Sequence, residues 1–141
     1  VRLTDALADW RAEAVSRLAQ TGIEAEWHDA VRDDRHTLPA RVYVQTTRIL
    51  REAVNNILKH SGATRCVLRV GLAGDDFGLT IQDNGRGIPL ELDGRLDRGH
   101  GMTSMKQRAK QLQGQCLVES GPGYGTVIRL TVPLETPPTA M

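Results

Sequence analysis

The sequence contains little cysteine, almost no net charge and no long apolar run. Its 18 Lys and Arg residues nearly balance 17 Asp and Glu residues, which leaves a net charge of +1. A nearly neutral chain gives no electrostatic reason to expect a nucleic-acid partner. No apolar stretch is long enough to cross a bilayer, and no signal peptide opens the chain. We therefore expect a soluble, cytoplasmic fragment without membrane contact, which is compatible with a parent protein anchored in the membrane upstream.

The two cysteines, Cys66 and Cys116, are far apart and form no C-x-x-C pair. Each falls in a strand-like stretch, so we predict buried, reduced thiols, in agreement with a cytoplasmic setting. No two histidines or cysteines stand at intervals typical of zinc ligands. Also absent are the loop G-x-x-x-x-G-K-[ST] and a strand followed directly by G-x-G-x-x-G and a helix. Any bound phosphate must therefore be held by another arrangement.

The apolar periodicity predicts three helices within one domain. With 141 residues, 40% of them hydrophobic and 25% charged, the chain has the size and composition of a single globular core. Apolar residues recur every three or four positions over residues 3–18, 42–57 and 102–112. Pro39 suits the start of the second helix. Glycine follows each of the three helices, at the position where it is commonly found.

Alternation of apolar and polar residues predicts five strands, at residues 23–27, 66–72, 77–81, 115–120 and 126–132. A Gly-Asp pair between the second and third strands marks a hairpin turn. Adjacent strands joined by tight turns cannot form a purely parallel sheet. We predict an α+β fold, a two-layer α/β sandwich with a mixed, mostly antiparallel sheet and about three helices on one face. The glycine-rich stretch 83–101 lacks periodicity, which is typical of a long functional loop.

A polar stripe follows the second predicted helix. Glu52, Asn56, Lys59 and His60 stand at i, i+4, i+7 and i+8, and regular α-helical spacing would place them on one side. A carboxylate, an amide and an ammonium in one row can hold phosphate oxygens and a hydrated Mg²⁺, which prefers oxygen ligands and keeps several waters. A solvated helix face with an ordinary polar pair is the alternative, and the stripe alone favours that alternative.

The end of the third predicted strand carries a carboxylate. Asp83 shares the alternation of the apolar residues before it, so its side chain is expected to point inward, where it needs a hydrogen-bond donor. The exocyclic amine of adenine would supply that donor. Gly85 and Gly87 allow the backbone to turn sharply and to approach a flat ring closely. An ordinary Asp-Asn-Gly turn is the alternative reading of the same residues.

Two further stretches suit a nucleotide less specifically. Gly99, His100 and Gly101 lead directly into the third predicted helix, and free backbone amides at a helix start attract phosphate. Thr126 shares the alternation of the last strand, which predicts an inward hydroxyl. Taken alone, each feature is better explained by a common helix start after glycine or by an ordinary strand threonine.

Read together and in this order, these stretches resemble the GHKL ATPase family, the ATP-binding domains of histidine kinases, gyrase, Hsp90 and MutL. Residues 51–61 are similar to the kinase N box, 83–88 to the G1 box, 99–102 to the G2 box and 123–126 to the final glycine-threonine motif. The resemblance covers residues 38–134 and implies the Bergerat fold. It is nearest to the branch that includes the nitrate-sensor and lipid-fluidity-sensor kinases.

The resemblance implies roles for the residues of the polar helix. Asn56 would ligate Mg²⁺ with Asn55 beside it, Lys59 would contact phosphate, and His60 would lie against the adenine. Glu52 occupies the general-base position of the hydrolytic relatives. In a kinase, it would instead help to activate the acceptor histidine.

The resemblance also assigns the nucleotide base. Asp83 would bind the adenine amine, and the Thr126 hydroxyl would support the adenine. The other matched residues would shape the base pocket or the phosphate-facing helix start: Gly85, Gly87, Ile88, Gly99, His100, Gly101 and Met102. The segment between the G1 and G2 boxes is short and lacks the phenylalanine motif of many kinase lids.

The implied organisation is a fragment of a homodimeric parent kinase. Residues 1–20 would form a first helix after a missing dimerisation and phospho-acceptor domain, 21–135 the ATP-binding catalytic domain, and 136–141 a flexible tail. The implied reaction transfers the ATP γ-phosphoryl to a histidine on that upstream domain, then to an aspartate of a response regulator. His28 and Asp29 resemble an acceptor pair, but no dimerisation helices surround them. The fragment alone is expected to be monomeric and unable to phosphorylate itself.

Two alternatives remain open. Within the same fold, the chain would be an anti-sigma-type serine kinase or an ATP-hydrolysing clamp. In another class, it would be a non-catalytic, nucleotide-sensing interaction module, which should lack a motif residue. The helix before the catalytic domain and the ending Lys59-His60 favour the histidine kinase.

Overall fold

A computed structural model of the chain describes residues 1–31, 36–86, 102–121 and 125–134, with the backbone alone at residues 60, 61, 102, 103 and 121. Three α-helices, one π-helical turn and five strands lie in these ranges. In chain order they are α1 (Leu3–Gln20), β1 (Glu24–Asp29), α2 (Ala40–Asn56), the π turn (Ile57–Ser61), β2 (Arg65–Ala73), β3 (Asp76–Asp83), α3 (Met102–Gln111), β4 (Gln115–Gly121) and β5 (Gly125–Pro133).

The helices begin and end close to the residues that the sequence predicts. Pro39, with φ of −56°, directly precedes α2, as expected for a residue whose ring presets a helical φ. Gly22 (φ +80°) follows α1, and Gly62 (φ +64°) follows the π turn. Both adopt the left-handed conformation that only glycine reaches without strain. Local backbone chemistry therefore fixes these boundaries.

The five strands form one mixed sheet in the order β1-β2-β3-β5-β4. β1 pairs with β2 in parallel, whereas the other three pairings are antiparallel. Because β3 and β5 are antiparallel and Gln82 pairs with Val127, the carboxyl end of β3 lies beside the start of β5. The register thus brings Asp83 to Gly125 and Thr126.

One hydrophobic core lies between the sheet and the helices. It contains the apolar residues of α1, α2 and α3 together with one alternating set from the strands. Burial of such a continuous apolar layer is the main force that holds the two layers together. The predicted α+β two-layer fold is confirmed. The two cysteines are buried free thiols, as predicted.

One expectation about helix geometry is wrong. The polar stripe was expected to follow α-helical spacing to residue 60, but α2 ends at Asn56 and the chain continues as a π turn. A π turn has more residues per turn than an α-helix, and it is often found at functional sites. Lys59 and His60 therefore do not continue the regular spacing of Glu52 and Asn56.

The other predicted boundaries have different outcomes. Residues 136–141 lie outside the described residues, and the boundary at residue 20 stays a prediction. Among the helices of the described ranges, none combines the length and the apolar character needed to span a membrane.

Candidate functional site

Asp83 is a buried carboxylate at the end of β3, with 3% of its surface exposed. Its Oδ1 accepts a hydrogen bond from the Gly85 backbone N–H at 2.8 Å. Burial raises the pKa of Asp83, and hydrogen bonds from the backbone N–H groups of Gly85 and Thr126 partly oppose that rise. Because an ionised carboxylate accepts several hydrogen bonds, Asp83 retains capacity for a ligand donor.

Gly125 and Thr126 form the wall beside this carboxylate. Gly125 has φ of +80° and contacts Asp83 so closely that a Cβ would lie 2.1 Å from the Asp83 carbonyl oxygen. Thr126 is buried with 3% exposure, and its Oγ1 lies 3.4 Å from Ser120 Oγ. The inward orientation that alternation predicts for Asp83 and Thr126 is thus present in the structure.

The Asn84 side chain links the segment after β3 to the start of β2 through hydrogen bonds. Its Oδ1 accepts hydrogen bonds from the backbone N–H groups of Thr64 at 2.9 Å and Arg65 at 3.0 Å. Its Nδ2 donates to Thr64 Oγ1 at 3.0 Å. The sequence placed Asn84 only within a turn. These contacts hold the residue after Asp83 against the start of β2.

Glu52 and Asn56 form a second polar cluster, one helical turn apart on α2. Glu52 Oε1 accepts hydrogen bonds from Ser104 Oγ at 3.1 Å and from Arg108 Nε at 3.2 Å. Glu52 Oε2 and Asn56 Nδ2 are buried and have no hydrogen-bond partner within the described ranges. Buried polar atoms of native proteins are rarely left unpaired. This pair of atoms therefore fits a polar ligand, and a hydrated Mg²⁺ with phosphate oxygens has the right chemistry.

Three further predicted residues, Asn55, Lys59 and His60, belong to the end of α2 and to the π turn. Asn55 Oδ1 accepts a hydrogen bond from Arg17 of α1. Lys59 is exposed within the π turn, where its ammonium can reach solvent or an anionic ligand. His60 belongs to the same turn, and only its backbone is described.

Parts of the predicted base pocket and of the predicted phosphate site lie outside the described residues. Five predicted residues lie outside the described ranges: Gly87, Ile88, Gly99, His100 and Gly101. Met102 is the first residue of α3 and is described through its backbone only. The structure thus assembles two groups of predicted residues, Asp83 with Gly85 and Thr126, and Glu52 with Asn56.

Sequence reasoning missed the α3 side chains that hold Glu52. Ser104 and Arg108 are four residues apart, so both lie on one face of α3. That spacing was a usable signal, but nothing local showed that the face meets Glu52. A surface cleft of about 750 Å³ lies at the other end of the sheet, beside Lys106, Lys110 and Cys116. It contains none of the predicted site residues.

Comparison with known proteins extends these observations. Residues 42–136 match the family described as histidine kinase-, DNA gyrase B-, and HSP90-like ATPase. The chain is 38% identical over 88 residues to the signal transduction histidine-protein kinase/phosphatase DegS of Bacillus subtilis, a match over 62% of this chain and 23% of DegS. It is 36% identical over 95 residues to the nitrate/nitrite sensor protein NarX of Escherichia coli, over 67% of this chain and 15% of NarX.

Solved structures share the fold. The histidine kinase domain of the blue-light activated histidine kinase from Erythrobacter litoralis EL346 superposes with a TM-score of 0.72 at 20% identity, covering 90% of this chain and 60% of that one. The histidine kinase AdeS of Acinetobacter baumannii gives 0.72 at 14% identity, covering 96% and 66%. The chain spans less than a quarter of the length of DegS and NarX. Since the family match covers most of its residues, the chain belongs to the family of histidine kinase-, DNA gyrase B- and HSP90-like ATPases.

Proposed function

We propose that this chain is the ATP-binding catalytic domain of a sensor histidine kinase. It would transfer the γ-phosphoryl group of ATP to a histidine on a separate dimerisation domain, from which the group passes to an aspartate of a response regulator. The observation that carries the proposal is the buried Asp83 carboxylate, held at the end of β3 beside Gly125 and Thr126. The similarity to DegS and NarX supports it.

Asp83 suits adenine better than guanine. Its carboxylate accepts two backbone N–H groups and can accept a further one from the exocyclic amine of adenine. Guanine carries a carbonyl oxygen at the corresponding ring position, and two acceptors in contact repel each other. Because Asp83 is buried, unpaired acceptors there carry a large energetic penalty, so the pocket should discriminate between the bases.

Glu52 and Asn56 of α2 would bind the phosphates through Mg²⁺. Rotation of the Asn56 amide presents its carbonyl oxygen in place of the unpaired Nδ2, and oxygen is the ligand that Mg²⁺ prefers. The bound ion would neutralise charge on the β- and γ-phosphates. Lys59, exposed on the π turn, would add a positive charge near these phosphates. Glu52 is held by α3 and would orient water or the acceptor rather than move freely.

Transfer then depends mainly on position and charge. The acceptor imidazole nitrogen forms a P–N bond while the bond between the γ-phosphorus and its bridging oxygen breaks, and ADP leaves. An imidazole nitrogen is more basic than water, so it needs less help from a general base. The acceptor histidine would belong to the separate dimerisation domain. Residues 1–20 would connect to that upstream domain.

The parent protein would be a homodimer through the upstream domain, and this fragment would be a monomer. Its working location would be the cytoplasm, which also suits a parent protein anchored in the membrane. These assignments follow from the resemblance to the sensor histidine kinases.

Titration calorimetry of the chain tests the nucleotide site. ADP and a non-hydrolysable ATP analogue should bind, Mg²⁺ should strengthen the ATP analogue, and GTP should bind poorly. Asp83→Asn places an amide donor against the adenine amine and should weaken binding about 10- to 100-fold. Asp76→Asn is the matched control because it lies at the exposed start of the same strand. Equal affinity of wild type and Asp83→Asn would remove the adenine assignment.

A transfer assay separates the kinase from its alternatives. The chain is mixed with [γ-³²P]ATP and the histidine domain of the longer protein, or with a serine-containing partner. Acid-labile label on the histidine domain supports the proposal. Acid-stable label on serine indicates a serine kinase, and phosphate release without labelled protein indicates an ATP-hydrolysing clamp. Nucleotide binding without any turnover indicates an interaction module.

A further inference from the structure

Polar side chains join α2 to α3 at Glu52, one of the residues of the candidate nucleotide site. Gln45 and Glu52 are seven residues apart on α2, and Ser104 and Arg108 are four apart on α3, so each pair lies on one helix face. Arg108 Nε donates to Glu52 Oε1 at 3.2 Å, and Arg108 Nη1 donates to Gln45 Oε1 at 2.9 Å. One guanidinium thus spans two turns of α2.

The two oxygens of Glu52 have different surroundings. Oε1 accepts from Arg108 and also from Ser104 Oγ at 3.1 Å. Oε2 is buried and has no partner among the described residues, and the same holds for Asn56 Nδ2 one turn further along. One half of the carboxylate is therefore fixed by α3, while the other half remains for a ligand.

We infer that Arg108 is a positioning residue of the nucleotide site, which holds Glu52 so that Oε2 stays available beside Asn56. The inference rests on the proposed function, since it concerns how that site takes Mg²⁺ and nucleotide. With two donors on Oε1, the plane of the carboxylate is set by Arg108 and Ser104 rather than by the free rotation of Glu52. Second-layer contacts of this kind commonly orient the groups around a bound metal.

The chemistry of arginine makes the role specific. A guanidinium donates in several fixed directions, whereas a lysine ammonium is a compact charge. Arg108 uses that geometry to reach Gln45 and Glu52 at once. A lysine at this position should hold Glu52 but not both partners, and a glutamine should supply no charge. Arg108→Lys should therefore lose less of the Mg²⁺-dependent affinity than Arg108→Gln.

A merely structural ion pair would behave differently. The Arg108 and Glu52 side chains are 26% and 25% exposed, so their pairing also contributes to the packing of α3 against α2. Loss of that packing would lower thermal stability and would weaken nucleotide binding equally with and without Mg²⁺. A positioning role predicts that the Mg²⁺-dependent part of the affinity is lost selectively.

The experiment measures that selectivity by calorimetry on the 141-residue chain. The dissociation constant of a non-hydrolysable ATP analogue is determined with Mg²⁺ and with EDTA. The readout is the constant in EDTA divided by the constant in Mg²⁺, which is large when Mg²⁺ strengthens binding. In Arg108→Gln, this ratio should fall about tenfold, as expected for loss of a group that orients a metal site, with the EDTA constant little changed. Arg108→Lys should recover part of the effect.

Two further variants separate the mechanisms. Glu52→Gln together with Arg108→Gln should lower the ratio no more than Glu52→Gln alone, because Arg108 acts through Glu52. Arg129→Gln is the matched control, since Arg129 pairs with Glu119 at 3.0 Å in an exposed ion pair on β5 and β4. It should leave the ratio unchanged.

Three results would overturn the inference. The ratio could stay at the wild-type value in Arg108→Gln while the melting temperature falls, which would mean a structural role only. The losses in the double variant could be additive, which would mean that Arg108 acts independently of Glu52. If the wild-type chain binds no nucleotide at all, the proposed function fails and this inference fails with it.

Discussion

Gly125 packs its backbone directly against Asp83, so that a Cβ at position 125 would lie 2.1 Å from the Asp83 carbonyl oxygen and 2.8 Å from Oδ1. Real Cβ atoms essentially never lie this close to another heavy atom, and the oxygen atoms concerned belong to a residue of β3 that is held in the sheet. Gly125 also has φ of +80°. The absence of a side chain at one residue is thus a condition for the carboxylate site at the other.

Gly125→Ala should destabilise the protein and disturb the candidate base site. The left-handed conformation costs about 1–2 kcal/mol for a residue with a Cβ, and the added atom costs a further ~1–3 kcal/mol through overpacking. Urea unfolding should therefore show a loss of about 2–5 kcal/mol, and ADP affinity should fall. Gly74→Ala is the control, because Gly74 has φ of +65° but no atom within 4 Å of its Cβ position. Equal losses in the two variants would contradict the packing argument.

The stability of the protein should depend on the protonation of Asp83. Burial raises the pKa of this carboxyl in the folded state above its ordinary value of 3.8. The folded state therefore holds the proton more tightly than the unfolded state, and stability falls as pH rises from the unfolded pKa through the folded pKa. Above both values the effect is constant.

Asp83→Asn does not titrate at this position, so its stability relative to wild type should increase as pH rises through that window. Urea unfolding of both proteins at a series of pH values from the carboxyl range to neutrality provides the measurement. A difference that stays the same at every pH, or that shrinks as pH rises, would contradict the assignment. Nucleotide affinity should fall in the same variant at every pH, by the factor given above for Asp83→Asn.

Two neighbouring threonines of α2 should respond oppositely to valine. Thr47 Oγ1 accepts a hydrogen bond from Trp10 Nε1 at 2.8 Å, so Thr47→Val leaves the indole N–H without its acceptor and should cost about 1–3 kcal/mol. Thr46 is fully buried, and its Oγ1 has no partner in the described parts of the chain. Thr46→Val should be neutral or stabilising by about 1 kcal/mol. Thermal unfolding of both variants tests the pair, and a large loss for Thr46→Val would reveal a hidden partner for that hydroxyl.

Replacement of Gln113 by glycine should stabilise the end of α3. Gln113 is a non-glycine residue with φ of +60°, and its backbone N–H donates to Lys110 O at 2.9 Å. Glycine relieves the strain at this position but gains freedom in the unfolded chain, which leaves a net gain of about 0.5–1 kcal/mol. Chemical denaturation of Gln113→Gly is the measurement. An unchanged or lower midpoint would show that the side chain of Gln113 contributes contacts that offset the strain.

The end of α3 also shows how far sequence reasoning reaches. Gly114 was expected to follow the helix because glycine is common there, and the helix does end nearby, at Gln111. The left-handed conformation, however, belongs to Gln113. Gly114 has a different reason to lack a side chain, since its Cβ would lie 2.1 Å from Thr131 O on β5. A local rule located the boundary correctly, but a contact distant in sequence explains the residue.

Sequence patterns likewise predicted only part of the candidate site. Alternation along β3 and β5 identified Asp83 and Thr126 as inward-facing residues, and both are buried. The spacing on α2 identified Glu52 and Asn56 as neighbours. The same spacing was wrong beyond Asn56, because a π turn replaces the α-helix there. Nothing in the local pattern distinguishes these two helical forms, since their difference is one residue in the hydrogen-bond step.

The helices, the strands and the side chains that face the core could be read from the sequence, because they follow from periodicities of a few residues along one chain segment. The strand order with its parallel β1, by contrast, became known from the folded structure alone. The same holds for the contacts of Arg17 with Asn55 and of Arg108 with Glu52. The residues of these two contacts are 38 and 56 positions apart. No local repeat encodes such distances, and they arise only when the helices pack on the sheet to bury their common apolar layer.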